Sequence, residues 1–195
     1  QGVSSAASDV YKRQSFSWAS YFIFRPAGQM SEEMWRLTAE SGAFLLNVGI
    51  ESLVDKNRHH MKKKFNNEDI EHSLKMAKKY GVDVFFLIMI GYVTETEEDH
   101  QATLQWLRDN AHYANDPIIK ISIGGTLSLL PNTWIHRNQK ELGVTWKEGD
   151  VSGVSGENHL WEIKATGNDY ATRLRRLSDV INVGTEVGFK IHQAT

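Results

Sequence analysis

Apolar and polar positions along this chain fall into blocks whose period switches between that of a strand and that of a helix. Tyr21 to Phe24 is a short aromatic and apolar run ending at Arg25 and Pro26, which predicts a strand. From Ser31 the spacing becomes helical. Ser31 suits an N-cap, Glu32 and Glu33 favour the positive end of the helix dipole, Met34 and Leu37 share a face, and Gly42 marks the stop. Ala43 to Ile50 reads as a second strand. Asn67 to Tyr80 reads as a second helix, capped by Asn66 or Asn67, with Ile70, Leu74 and Ala77 as its inner stripe and Gly81 closing it. Val82 to Ile90 is almost wholly apolar, and a strand without alternation marks a parallel sheet buried on both faces.

Gly91 breaks that run. Thr96 with Asp99 forms a capping box opening a helix to about Asn110, with Leu104 and Leu107 facing inward. Ile118 to Ile123 is a fourth strand running into Gly124 and Gly125. Beyond Pro131 the pattern weakens, and the Gly- and Ser-rich stretch Gly149 to Asn158 reads as a surface loop. At the end, Tyr170, Leu174, Leu177, Ile181 and Gly184 share one helical face, with Arg173, Arg175 and Arg176 mostly off it. Alternating strands and helices predict an α/β fold with a parallel sheet; a closed barrel and an open sheet are both compatible with it.

The first residues, QGVSSAASDVYKRQ, carry no period, cap or cleavage signal. With permissible codons, Ser4 to Gln14 can be written as the adapter a transposase attaches to DNA in sequencing-library preparation. These residues are read as translated adapter, disordered, with the natural gene expected to continue upstream of Ser15. The rest of the 195 residues is enough for one domain. Hydrophobic content of 41% and charged content of 24% are those of an ordinary globular protein, and the longest apolar run, Val84 to Ile90, is too short to cross a bilayer. With 22 basic and 24 acidic residues the net charge is -2, so no global field draws in nucleic acid. There are no cysteines, which excludes disulfides and thiolate metal sites in this chain. His59 and His60 are adjacent, match no zinc spacing and read as surface residues, while the six scattered Trp read mostly as core.

In parallel α/β architectures ligands bind where loops leave the carboxyl ends of the strands. Two such ends stand out: GIES, Gly49 to Ser52, and GYVTET, Gly91 to Thr96. Each places a carboxylate just past a glycine. Singly they read as helix-starting turns. As a pair, Glu51 and Glu95 could serve as acid and base in a lyase or hydrolase barrel. A non-catalytic interaction domain is the further alternative, expected if apolar packing fills the strand ends.

Taken in order, Arg25, Gly42, GIES, Met61 with Lys63, Gly81, GYVTET and Pro131 with Thr133 resemble the radical S-adenosylmethionine (SAM) superfamily, in the branch with GIES and GFPGET strand ends. The resemblance covers Arg25 to about Thr133. It implies the C-terminal part of a partial parallel (β/α) barrel in residues 15–133, followed by a C-terminal helical extension in residues 134–195. It implies that Glu51 receives the ribose hydroxyls of SAM, that Lys63, twelve residues on, pairs with the methionyl carboxylate, and that Ile90 and Gly91 lie against the adenine. Arg25 either faces the cofactor or substrate or pairs with Glu51 or Glu95. Lys62 and Lys64 read as a solvated face. Val93 and Thr94 replace the family's Pro-Gly turn, and Asn132 replaces the Gly of its PGT turn, which Asn tolerates.

The family's chemistry uses a four-iron four-sulfur cluster held by CxxxCxxC and cleaves SAM to a radical that abstracts a substrate hydrogen. Neither that motif nor the GGE strand end is present, and both belong to strands that precede Arg25 in the family. The expectation is therefore a cytoplasmic enzyme fragment, inactive as it stands and prone to aggregate through its exposed edge. Its parent would act on a small-molecule or unidentified substrate with SAM and the cluster as cofactors; the branch includes cobalamin-binding and methylthiotransferase-like members, and the absence of an RNA-binding tail leans the reading to cobalamin.

Overall fold

The computed structural model describes residues 16–116, 118–146 and 159–193, so the adapter-like segment and the Gly149 to Asn158 stretch lie outside it. Five strands make one parallel sheet: β1 (Trp18–Phe22), β2 (Ala43–Glu51), β3 (Asp83–Ile90), β4 (Ile119–Thr126) and, after a two-stranded ribbon of β5 (Thr145–Trp146) and β6 (Trp161–Glu162), β7 (Ile191–Gln193). Their order across the sheet is β1, β2, β3, β4, β7, and every neighbouring pair is parallel. Helices α1 (Glu32–Glu40), α2 (Asp55–His60), α3 (Asn67–Tyr80), α4 (Glu97–Asp109), α5 (Trp134–Arg137) and α6 (Tyr170–Glu186) fill the connections. The sheet is open among the described residues, with β1 at one edge.

The caps form as the residue types require. Ser31 accepts from the Met34 N–H, and Asn66 with Asp69 and Thr96 with Asp99 each form a reciprocal capping box. β1 begins and ends earlier than Tyr21 to Phe24, because its ladder is set by β2: Tyr21 lies opposite Asn47 and Phe22 opposite Val48. Met34 and Leu37 do not face the core. Both are half exposed, and Trp35 between them is fully buried instead, since one indole removes more apolar surface than either neighbour could. Trp35 packs with Phe22 and Phe24, and Phe24 also meets Phe65 and Phe86, with ring centroids 6.1–6.4 Å apart.

β3 also departs from expectation. Val84, Phe86, Ile88 and Ile90 are buried against the helices, while Phe85, Leu87 and Met89 on the other face are only partly covered. An apolar strand here means one face under helices and one face lining a concave hollow. Tyr21, Ile23 and Phe44 stand exposed.

The last helix turns a different face inward from the one its aliphatic residues suggest. Arg173, Arg176, Val180, Val183 and Gly184 are buried in α6, and Leu174 is largely exposed. The two arginines go in because carbonyls and carboxylates wait for them, as described below. α6 packs on α4 and delivers β7 to the far edge of the sheet.

Candidate functional site

β2 and β3 end side by side, so their terminal loops share one rim. At the end of β2 the backbone turns left-handed at Glu51 (φ 66°), an uncommon state for a residue with a side chain. The turn is held from below by Arg58, fully buried, which donates to the Ser52 carbonyl, to Asp55 and to Asn67 and lies 5.7 Å from the Phe65 ring centroid. Lys63 then reaches back. Its Nζ donates to the Gly49 carbonyl at 2.9 Å and to Glu51 Oε1 at 3.2 Å. A Cβ on Gly49 would fall 2.6 Å from that Glu51 oxygen and 3.4 Å from the amine, so the glycine is what lets the pair close over the strand.

Glu51, Lys63, Gly49 and Arg25 line an open cleft of about 590 Å3 with Tyr21, Asn47 and Leu87 on its floor and wall. Arg25 is exposed and makes no ion pair with Glu51 or Glu95 among the described residues, so it is free to face a ligand. The structure thus brings together Arg25, Glu51 and Lys63. It places Ile90 and Gly91 on the neighbouring strand end but outside that lining: Ile90 is buried and borders a small cavity with Glu95 and His100.

The GYVTET loop is organised from α6. Gly91 has φ 83°, and a Cβ there would fall 2.2 Å from Arg173 Cδ, so the position needs glycine on both counts. Arg173 is fully buried, 3.8 Å over the Trp161 ring, donating to the carbonyls of Asn168 and Trp161. Asn168 in turn donates to the Tyr92 carbonyl at 2.9 Å. Glu95 accepts from the Gly91 N–H at 3.1 Å and from Arg176 at 3.1 Å. Burial pushes the Glu95 carboxyl up, with Arg176 and the Gly91 N–H pulling against it. Val93 is buried in a second small core with Leu129, Val144 and Trp161, and Thr94 donates to Asn57 at 2.8 Å. These contacts replace the rigidity that a Pro-Gly turn would bring. Asn132 does adopt a left-handed backbone, φ 64°.

Glu51 and Glu95 therefore do not form a catalytic pair. They line different cavities, and Glu95 is committed to Arg176 and a backbone N–H. His59 is exposed, whereas His60 is only partly so, its Nδ1 2.9 Å from the Tyr92 hydroxyl. Asn168, Arg173 and Arg176 carry no motif, and only their place near the end of an α/β chain hints at a role on the rim.

Residues 12–107 match the sequence profile of the Radical SAM superfamily. Just under half of the chain is thus similar to that superfamily. It is 27% identical over 186 positions to Cytidylyl-2-hydroxyethylphosphonate methyltransferase of Streptomyces wedmorensis, covering 86% of this chain and 34% of that protein. The radical SAM fold is also that of the methyltransferase TsrM from Kitasatospora setae solved with cobalamin and a [4Fe-4S] cluster (TM-score 0.59, 16% identity, 91% of this chain and 38% of that one). The Elp3 protein of Methanocaldococcus infernus shares it too (TM-score 0.55, 14% identity, 91% and 34%). The chain thus spans about a third of the length of these relatives.

The residues present fit one cofactor of the radical SAM superfamily and not the other. A paired carboxylate and ammonium over a glycine cradle suit a ligand that carries hydroxyl donors and a carboxylate. An iron–sulfur cluster needs thiolates, the sequence has none, and among the described residues no group of three or more acidic or histidine side chains could hold a metal ion. Among them, too, no helix is long and apolar enough to cross a membrane.

Proposed function

We propose that this chain is the SAM-gripping C-terminal portion of a radical SAM methyltransferase acting on a small molecule. The observation that carries this reading is the Glu51–Lys63 pair at the mouth of an open cleft. In the free protein each charge satisfies the other. A bound SAM would separate them: Glu51 would accept from the two ribose hydroxyls, and the Lys63 ammonium, keeping its bond to the Gly49 carbonyl, would turn to the methionyl carboxylate. Arg25 lies within the same cleft as a further cation for the carboxylate or for a substrate.

The S. wedmorensis relative is named a methyltransferase, and one TsrM structure holds both cobalamin and a [4Fe-4S] cluster. On that basis we assign cobalamin-dependent methyl transfer to the whole protein, with the cluster ligands supplied by a further segment. The cluster, when bound, supplies the electron that activates SAM. This chain's part is to hold the nucleoside and the carboxylate, so alone it turns over no SAM.

The test is anaerobic reconstitution of the purified chain with iron, sulfide and dithionite, followed by assay for 5'-deoxyadenosine and S-adenosylhomocysteine. Neither product should exceed a protein-free control unless a polypeptide carrying CxxxCxxC is joined to it. Catalytic formation of either by this chain alone would overturn the assignment.

A further inference from the structure

The cofactor reading accounts for the cleft over β1, β2 and β3 and leaves a second hollow on the same rim unused. About 370 Å3 in volume, it is lined by His60, Met61, Lys62, Tyr92, Trp134 and Ile135, from the loops after β2, β3 and β4. Its walls are rings. The His60 ring meets Tyr92 at 5.5 Å and Trp134 at 5.6 Å, both edge to face. Trp134 is 50% exposed, an uncovered large apolar surface directed at a concave site. Two polar groups of the wall are spent on each other, His60 Nδ1 and the Tyr92 hydroxyl being 2.9 Å apart, and the Thr133 hydroxyl, also in the lining, donates to the Leu130 carbonyl at 2.8 Å. Burial, with the Lys62 charge, holds His60 below its ordinary value, and burial raises Tyr92, so both shifts favour the uncharged ring.

The one formal charge of the lining is then Lys62. It sits in a left-handed backbone, φ 62°, that a residue with a side chain adopts only when its surroundings hold it there. The next residue is Lys63, whose amine faces Glu51. Two successive lysines therefore line one hollow each.

We propose that this hollow binds a small planar aromatic group bearing an anionic substituent, the ring lying against Trp134 and Tyr92 and the anion meeting the Lys62 ammonium. Flat neutral walls reward an aromatic face, and a single exposed ammonium at the mouth rewards one negative charge. That such a ligand is the methyl acceptor rests on the functional reading above; the binding itself does not.

Three probes separate the contributions: 2-naphthoate, its neutral amide 2-naphthamide, and cyclohexanecarboxylate, which keeps the charge and loses the aromatic face. Titrated calorimetrically into the whole chain, 2-naphthoate should bind best, and each of the others about fivefold or more weakly. Lys62→Gly relieves the left-handed strain, so its melting temperature should hold or rise while naphthoate affinity falls to that of the amide. Trp134→Ala, at a half-exposed position, should weaken both naphthyl probes about tenfold with the melting temperature kept. Unchanged naphthoate binding in both variants, or cyclohexanecarboxylate binding as well as naphthoate, overturns the proposal. S-adenosylhomocysteine is the control ligand: its failure to bind wild type, with naphthoate still binding as described, would sink the cofactor reading alone.

Discussion

Arg176→Met removes the cation that α6 buries against the GYVTET loop while keeping most of the side chain's volume. Arg176 has no exposed surface, Glu95 is 6% exposed, and they meet at 3.1 Å. After the substitution the Glu95 carboxylate keeps only the Gly91 N–H, and Glu97 loses a partner at 3.3 Å. Removing one member of a buried pair typically costs about 3–5 kcal/mol, because the other is left desolvated and uncompensated. For a chain of this length that is a fall in melting temperature on the order of 10 °C. Burial already holds Glu95 above its ordinary value, and losing Arg176 raises it further. A carboxyl raised by folding contributes stability that is present below its unfolded value of 4.5 and lost as pH rises through its folded value. The deficit of Arg176→Met against wild type should therefore be smallest near pH 4.5 and grow toward pH 8. Glu95→Gln should recover part of it in the double variant. Urea unfolding followed by tryptophan fluorescence at several pH values measures all four proteins. A single-variant loss under about 1 kcal/mol, or strictly additive losses in the double variant, would refute the argument that α6 holds this loop through that pair.

Gly91→Ala should destabilise more than Gly81→Ala: both backbones are left-handed, but only at Gly91 does a Cβ meet the Arg173 stem, at 2.2 Å, whereas Gly81 has open space. Thermal melts of the two variants compare a clash plus strain with strain alone. At Glu97, burial acts against ionisation, but hydrogen bonds from Arg175 and Gln101 and the nearby arginine charges hold its carboxyl down at about 2. A lowered value gives stability that is present above 4.5 and lost as pH falls toward 2, so the gap in melting temperature between wild type and Glu97→Gln should close over that range. Because Glu97 is half exposed, the gap should be small and should shrink in high salt.

Where local chemistry decides structure, the amino-acid sequence can be read directly. Ser31, Asn66 and Thr96 cap helices because their side-chain oxygens have nearby N–H groups to satisfy, and Ile70, Leu74 and Ala77 are buried because their spacing puts them on one face. Motif order points to Glu51 and Lys63 as neighbours on one rim, and their side chains do meet there, while their role in holding a ligand is the proposal above. What was not legible depends on distant partners. Arg173 and Arg176 look like a solvent face until Trp161, Asn168 and Glu95, brought in by the β3 and β6 loops, offer them a ring, carbonyls and a carboxylate. His60 looks like a surface histidine until Tyr92 and Trp134 arrive from two other rim loops. The same holds for β3, where the sequence shows an apolar strand but not that its inner face looks into a hollow.

The central claim is that the cleft over β1, β2 and β3 grips SAM through Glu51 and Lys63. Nuclear magnetic resonance titration of the isotopically labelled chain with S-adenosylhomocysteine tests it most directly, since that ligand keeps the ribose and carboxylate and requires no cluster. Saturable shift changes should concentrate at Gly49, Glu51 and Lys63, with Arg25 beside them, and Glu51→Gln and Lys63→Met should each weaken binding by about tenfold, the worth of a charge-assisted hydrogen bond. Shift changes confined elsewhere, or affinity unaltered in both variants, would contradict the account.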